Sequence, residues 1–459
     1  MDSQEKGQTR LSLPMSQWLS VERDDGVLIA WRSAQAFCLG QFRRDVATLA
    51  AQLAGRDEQR WALCFDDSYR FAVALLASLY ANRMPVIFGH QREAILKEQW
   101  ADFDALLTDL PLDLDVPILP VPEGNWSSTE IALPAWPQDP RFILYTSGST
   151  GQPQAVMKSV ACMDRESELL AASWKDVFQG CSVIASVSHQ HMYGLSFRLF
   201  MPLAFGLPFD AQLTQYHEQL IARHQGRRLL FVSSPAWLKR LDNHLALAEC
   251  VEVFSAGGPL PYAEAKLSQR ALGVLPLEIY GTTETGTLAW RKQLREATLW
   301  RLFAGVTLTV NPDSSINVAS PLIPDSGELA LSDIIQLAPD GRQFQLNGRA
   351  DRIIKLEEKR LSLSEVERRL TLLPEVADAA VLTQQQTGRT VLVAVIVLSP
   401  YGETRRQSLS EGALTRELHQ ALRGWLEPVA LPRRWRIIDA IPLNPQGKRA
   451  YAELQELFL

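Results

Sequence analysis

At 459 residues the chain exceeds what one core usually holds, and 46% hydrophobic with 21% charged residues describes a soluble globular protein of two or more domains. A net charge of −6 argues against a nucleic-acid surface, and no apolar run is long enough to span a membrane, the longest being 71–81 and 391–399. The five cysteines (Cys38, Cys64, Cys162, Cys181, Cys250) are scattered without metal-ligand spacing, and residues 1–10 carry no signal-peptide pattern; idle thiols in a reducing cytoplasm are expected.

In chain order, apolar positions recur at helical spacing over 31–54 and stop at Gly55. Strands are expected at 61–65, 85–88 and 105–108, with helices at 71–81 and 93–100 between them. This alternation predicts a layered α/β domain with a largely parallel sheet. A Pro- and Asp-rich stretch, 110–140, then leads to a short apolar run, 142–145, read as a buried strand. Directly after it stand Thr146, Ser147, Gly148, Ser149, Thr150 and Gly151, four hydroxyls and two glycines in six residues. Glycines let backbone N–H groups turn toward a ligand and hydroxyls add donors, so such a loop can wrap phosphate oxygens. It is neither a Walker A loop, for want of Gly-Lys-Ser/Thr, nor a dinucleotide fingerprint, for want of the third glycine.

A helix at 167–179 and a strand at 182–187 precede Ser188-His-Gln-His-Met-Tyr-Gly194. His189 and His191 at i, i+2 lack a third ligand, and a metal site is not expected there. A strand at 227–232 enters Ser233-Ser-Pro-Ala-Trp237, and one at 251–254 enters Ser255-Ala-Gly257-Gly258-Pro259-Leu260. The run 277–279 leads into Tyr280-Gly281-Thr282-Thr283-Glu284. Further on come Ser332-Asp333, then Asn347-Gly-Arg349-Ala-Asp351-Arg-Ile-Ile-Lys355, strands at 376–382, 391–398 and 435–438, a helix at 414–426, and Pro442-Leu-Asn-Pro-Gln-Gly-Lys448. From Gly348 onward 17 basic residues stand against 14 acidic ones, +3, which leaves −9 for the remainder; a basic segment of this kind suits an anionic partner.

The loop at 146–151 with its flanks, Tyr280–Glu284, the 347–355 run and the 442–448 run together resemble the signatures of the adenylate-forming superfamily of acyl- and aryl-CoA synthetases, peptide-synthetase adenylation domains and luciferases. The resemblance covers residues 31–448. It implies an α/β fold: a large N-terminal domain of layered sheets and helices, 1–347, and a smaller mobile α+β C-terminal domain, 348–459, with its hinge at Asp351. It also implies binding of ATP and Mg²⁺. Residues 146–151 would hold the outer phosphates, and Gly257, Gly258 and Pro259 the adenine edge, where small residues permit backbone approach. Tyr280 with Gly281 and Thr282 would offer an aromatic face to adenine, Thr283 a hydroxyl to the α-phosphate, and Glu284 a hard oxygen to the metal. Asp333 and Arg349 would take the ribose, and Lys448 the carboxylate and α-phosphate during catalysis. His191 would border the acyl pocket, with Tyr193, Trp237 and residues 286–288.

The implied activity is ATP-dependent conversion of a carboxylic acid, aryl or short to medium acyl, to acyl-AMP, then transfer to a phosphopantetheine thiol of an acyl carrier protein or CoA. An acyl carrier protein is the favoured acceptor, with Arg405, Arg406, Arg433, Arg434 and Arg436 available to an acidic helix. A free-standing ligase is expected, since no carrier segment follows Lys448. The alternatives are an amino-acid activator, which Phe209-Asp210 admits, and a degenerate nucleotide-binding protein. Two departures motivate the latter: Gln154 replaces the usual lysine and Glu358 a usual glycine. Strand alternation puts Lys158 on the same face as Gln154, so Lys158 is expected to compensate in part.

Overall fold

Four of the five residues in Arg60–Cys64 are buried, and this strand centres the first of two sheets in the N-terminal part of the chain. The computed structural model describes residues 12–459 apart from 92, 122–130, 148–152, 225, 243, 246–247, 312–314, 324–326, 350–351, 357–358, 387–388, 424–425, 427 and 445–447. The chain divides into two compact units, Met1–Thr307 with Ala319–Leu329, and Leu308–Val318 with Ala330–Leu459. The architecture is α/β, a large N-terminal unit of sheets and helices and a smaller α+β C-terminal unit.

In the first unit, the strands Ile118–Pro120, Ala105–Thr108, Arg60–Cys64, Met84–Ile87 and Arg141–Ser147 lie side by side and parallel. Pro153–Ser159 folds back antiparallel on the last of them, pairing Thr146 with Gln154 and Ser147 with Pro153. Ala105–Thr108 is buried at all four positions, as a strand covered on both faces requires. The helix Ser68–Tyr80 follows Cys64; it begins where the Asp67 carboxylate accepts the N–H of Arg70 at 2.9 Å.

The second sheet of this unit runs Trp300–Leu302, Gly286–Lys292, Leu277–Thr282, Cys250–Ser255, Leu229–Ser233, Ser182–Ala185, Phe209–Leu213, Leu28–Arg32 and Gln35–Cys38. Its middle, from Leu277–Thr282 to Leu28–Arg32, is parallel. The helical spacing read over 31–54 begins too early. Residues 28–38 form a hairpin, with Ser33 turning at φ 52°, and the helix is Leu39–Ala54. Local periodicity gave way there to edge pairing with Phe209 and Asp210. Asp210 is itself buried and paired with Arg223 at 3.2 Å.

In the second unit, Val376–Gln386 and Arg389–Leu398 pair antiparallel, and Arg434–Ile437 joins parallel to the latter. The near-continuous apolar run of the middle strand follows from burial on both faces. Leu392, Ala394 and Ile396 meet Val366, Leu370, Leu414 and Leu418 on one side, whereas Val391, Val393 and Val395 meet Leu454 and Phe458 on the other. Two hairpins precede this sheet in sequence, Asp333–Leu337 with Gln343–Arg349 and Ile353–Leu356 with Lys359–Ser362.

Candidate active site

The hydroxyl- and glycine-rich loop closes the hairpin of Arg141–Ser147 and Pro153–Ser159. Phe142 and Leu144 are buried, as the expected strand requires, and Thr146 stands at the mouth of the loop with its Oγ1 3.5 Å from the Gln154 carbonyl. Gly148, Ser149, Thr150 and Gly151 lie outside the described residues. Gln154 is exposed, whereas Lys158 is only 1% exposed and donates from Nζ to the main-chain oxygen of Glu284 at 3.0 Å. Shared strand parity did not make the two interchangeable. The expected compensation at the outer phosphates is therefore corrected: burial and a partner turn Lys158 toward the 280–286 turn.

That turn is tightly specified. Thr282 and Thr285 bond reciprocally, each N–H reaching the other's Oγ1 at 3.1 and 3.2 Å. A Cβ on Gly281 would lie 2.1 Å from the Gly286 carbonyl oxygen, so only glycine fits, and Gly286 itself sits at φ +67°. Beyond the turn, the buried Glu166 carboxylate accepts the Thr287 N–H at 2.9 Å and the Ser196 hydroxyl. Glu284 is exposed, Thr283 and Tyr280 are half-buried, and Tyr280 packs its ring 5.7 Å from that of Trp300. Gly257, Gly258 and Pro259 form an exposed turn at the carboxyl end of Cys250–Ser255, with Gly257 at φ +89°. Ligands of open α/β sheets bind at these carboxyl ends.

The two histidines part company. His189 is fully enclosed, its Nδ1 2.7 Å from Ser68 Oγ and its ring 4.2 Å from Phe71, and burial holds its pKa well below the usual imidazole value. His191 is half-buried and precedes the turn Met192–Gly194, its carbonyl accepting the Leu195 N–H at 2.7 Å. A Cβ on Gly194 would come 1.9 Å from the Ser188 carbonyl oxygen, which accounts for the glycine. Trp237, expected at the acyl pocket, is instead a core residue: it is 5% exposed, donates Nε1 to Gln215 O at 3.0 Å and packs on Phe231.

In the C-terminal unit, Asp333 and Arg349 lie opposite each other across one antiparallel pair, which brings the two expected ribose-binding positions together. Lys448 is exposed on a short turn. Its N–H donates to Asn444 Oδ1 at 2.9 Å, and the Asn444 N–H returns to its carbonyl at 2.7 Å. Arg449 anchors this turn through Asp378 and Glu367, two residues outside the sequence motifs, and Glu367 also binds Arg352. Asp351 and Glu358 lie outside the described residues. Of the arginines offered to an acidic partner, Arg405 pairs with Glu417, Arg406 with Glu403, and Arg434 and Arg436 bond the backbone of Phe458 and Leu457.

A parallel sheet ending in an exposed glycine turn, with the Glu284 turn tied by Lys158 to the strand Pro153–Ser159, is the arrangement that this α/β unit presents. The AMP-binding enzyme model matches residues 89–319 and the AMP-binding enzyme C-terminal domain model residues 365–448, and the chain belongs to that family. It is 30% identical to 4-coumarate–CoA ligase of Cereibacter sphaeroides over 68% of this chain and 70% of that protein. It is 26% identical to L-proline–[L-prolyl-carrier protein] ligase of Streptomyces coelicolor over 90% and 91%. ATP-bound MatB from Rhodopseudomonas palustris shares the fold, with a TM-score of 0.79 at 17% identity over 97% of this chain and 98% of that one.

Proposed function

We propose that the protein activates a carboxylic acid with ATP and passes the acyl group to the phosphopantetheine thiol of CoA or an acyl carrier protein. It is an AMP-forming acid–thiol ligase. The observation that carries this reading is the 280–286 turn, which exposes Glu284 while Lys158 and Glu166 fix its backbone next to the strand leading from the hydroxyl-rich loop. A free carboxylic acid is a poor electrophile because hydroxide would have to leave, and its carboxylate is poorer still. Its oxygen therefore attacks the α-phosphorus of ATP, pyrophosphate departs, and acyl-AMP results; a thiolate sulfur then attacks the acyl carbon and AMP departs. The protein's work is positioning and charge neutralisation.

In this reading residues 146–151 hold the outer phosphates, Tyr280 and residues 257–259 the adenine, Thr283 the α-phosphate, and Asp333 and Arg349 the ribose. His191 borders the acid, and Lys448 neutralises its carboxylate and the α-phosphate in the first step. The C-terminal domain, 348–459, turns about Asp351 between the steps. Glu284, an exposed hard-oxygen ligand, would hold Mg²⁺, and the ion would offset phosphate charge there.

Pyrophosphate exchange into ATP, run with a panel of aryl, alkyl and amino acids, tests the proposal. Exchange with aryl or short to medium acyl acids is expected, followed by thioester formation with CoA or a pantetheinylated carrier. The match to the prolyl-carrier ligase along nine-tenths of both chains favours one further reading, activation of an amino acid, and exchange confined to amino acids would establish it. Nucleotide binding without exchange for any acid would overturn both.

A further inference from the structure

We infer that Lys158 is a positioning residue for the Glu284 carboxylate, through a buried ammonium-to-carbonyl bond that ties the 280–286 turn to the phosphate-loop hairpin. The inference rests on the reading of Glu284 given above. Three observations carry it. Lys158 is 1% exposed, in a protein where such ammonium groups almost never lie buried without a partner. The partner is the main-chain oxygen of Glu284 at 3.0 Å, 126 residues away in sequence. Third, three residues further on from Glu284, Thr287 N–H is held at 2.9 Å by the buried Glu166 carboxylate. Lys158 and Glu166 stand on consecutive elements, Pro153–Ser159 and Val160–Phe178, that follow the loop directly.

The turn has its own internal closure, the reciprocal Thr282–Thr285 bonds, which fixes its shape. Shape alone does not fix where the turn sits relative to the hairpin. Lys158 and Glu166 supply that, one on the carbonyl leaving Glu284 and the other on the amide entering Thr287. A charged donor on a main-chain carbonyl is a strong, directional link. The consequence is specific to this chain's residues: the loop carries glutamine at 154, exposed, and the nearby cation is spent inward on geometry. Lys158 therefore governs how well Glu284 meets a metal–phosphate complex, whereas Tyr280 is held separately by its strand pairing with Ala289 and its packing on Trp300.

Calorimetric titration with MgATP, and separately with ATP in EDTA, tests this on the full-length protein. Lys158→Met keeps the length and suits a buried site. It is expected to weaken MgATP binding roughly tenfold and to leave metal-free ATP within about twofold, the scale of one charged hydrogen bond. In exchange assays the half-saturating Mg²⁺ concentration rises by a similar factor while KM for the acid holds. Lys158→Arg, which retains the donor, restores both to within about threefold. If Lys158→Met does not fold, Lys158→Gln is read by the same two titrations. Unchanged MgATP binding, or an equal loss with and without metal, overturns the inference. Failure of the parent reading looks different: the native protein itself would show no metal-dependent exchange.

Discussion

Arg449, the residue after Lys448, forms a 2.5 Å ion pair with Asp378, and its other nitrogen lies 3.5 Å from a Glu367 oxygen. Glu367 in turn binds Arg352, next to the proposed hinge, and accepts the Val381 N–H at 2.7 Å. One carboxylate thus ties the lysine turn to the strand that leaves the hinge. Arg449→Met should lower the rate of acyl-AMP formation by about tenfold, the cost of one charged hydrogen-bonded contact, with KM for ATP little changed. Exchange kinetics measure it, and a wild-type rate would show that the turn holds Lys448 without its anchor.

Lys448 is expected to serve only the first half-reaction. Lys448→Ala should slow acyl-AMP formation by ~10²–10³-fold, the usual scale for removing a transition-state charge partner. Given preformed acyl-AMP and a thiol acceptor, the same variant should transfer at close to the native rate. Asp351→Pro, which fixes φ at the proposed pivot, should do the reverse. Equal slowing of both steps by Lys448→Ala would exclude a two-pose mechanism.

Gln154 is exposed beside the loop mouth, and the lysine four residues on is engaged elsewhere. Gln154→Lys adds a cation beside the loop, so ATP binding should tighten by about 1–2 kcal/mol, the worth of a single partly exposed charged contact. Direct titration with ATP gives the answer. No binding in the native protein, rescued by this change, would make the chain a degenerate member of its family.

Gly281 cannot carry a side chain, because a Cβ would lie 2.1 Å from the Gly286 carbonyl oxygen across the turn. Gly281→Ala must force the strands Leu277–Thr282 and Gly286–Lys292 apart. A loss of about 2–3 kcal/mol in stability is expected, the upper range for overpacking. Urea unfolding followed by tryptophan fluorescence reports it, and ATP affinity should fall in parallel.

Asp45 provides a pH signature away from the site. Burial pushes its carboxyl up to about 6, against the Tyr69 hydroxyl that donates to it at 2.7 Å. A folded pKa above the unfolded value means that the native state holds the proton longer. This group's favourable contribution is therefore full below the unfolded value and is lost as pH rises through 6. Discounted for partial solvent access, the difference is about 2 kcal/mol between pH 4 and pH 7.5. Asp45→Asn should remove it, so the stability gap between variant and native protein widens in the variant's favour as pH rises.

Local chemistry that acts within a few residues was written in the sequence. The strand before the loop and the buried strand at 391–398 follow from apolar patterning, which neighbours in sequence suffice to reveal. The fate of the charged residues was not. Lys158 and Gln154 share strand parity, yet only the arrival of residues 280–286 from far along the chain decides that one is buried and bonded and the other left in water. Trp237 passed for a pocket residue until Gln215 and Phe231 enclosed it. A side chain's long-range partner sets its role, because desolvation makes a buried charge or polar group depend on whatever the fold brings within 3 Å.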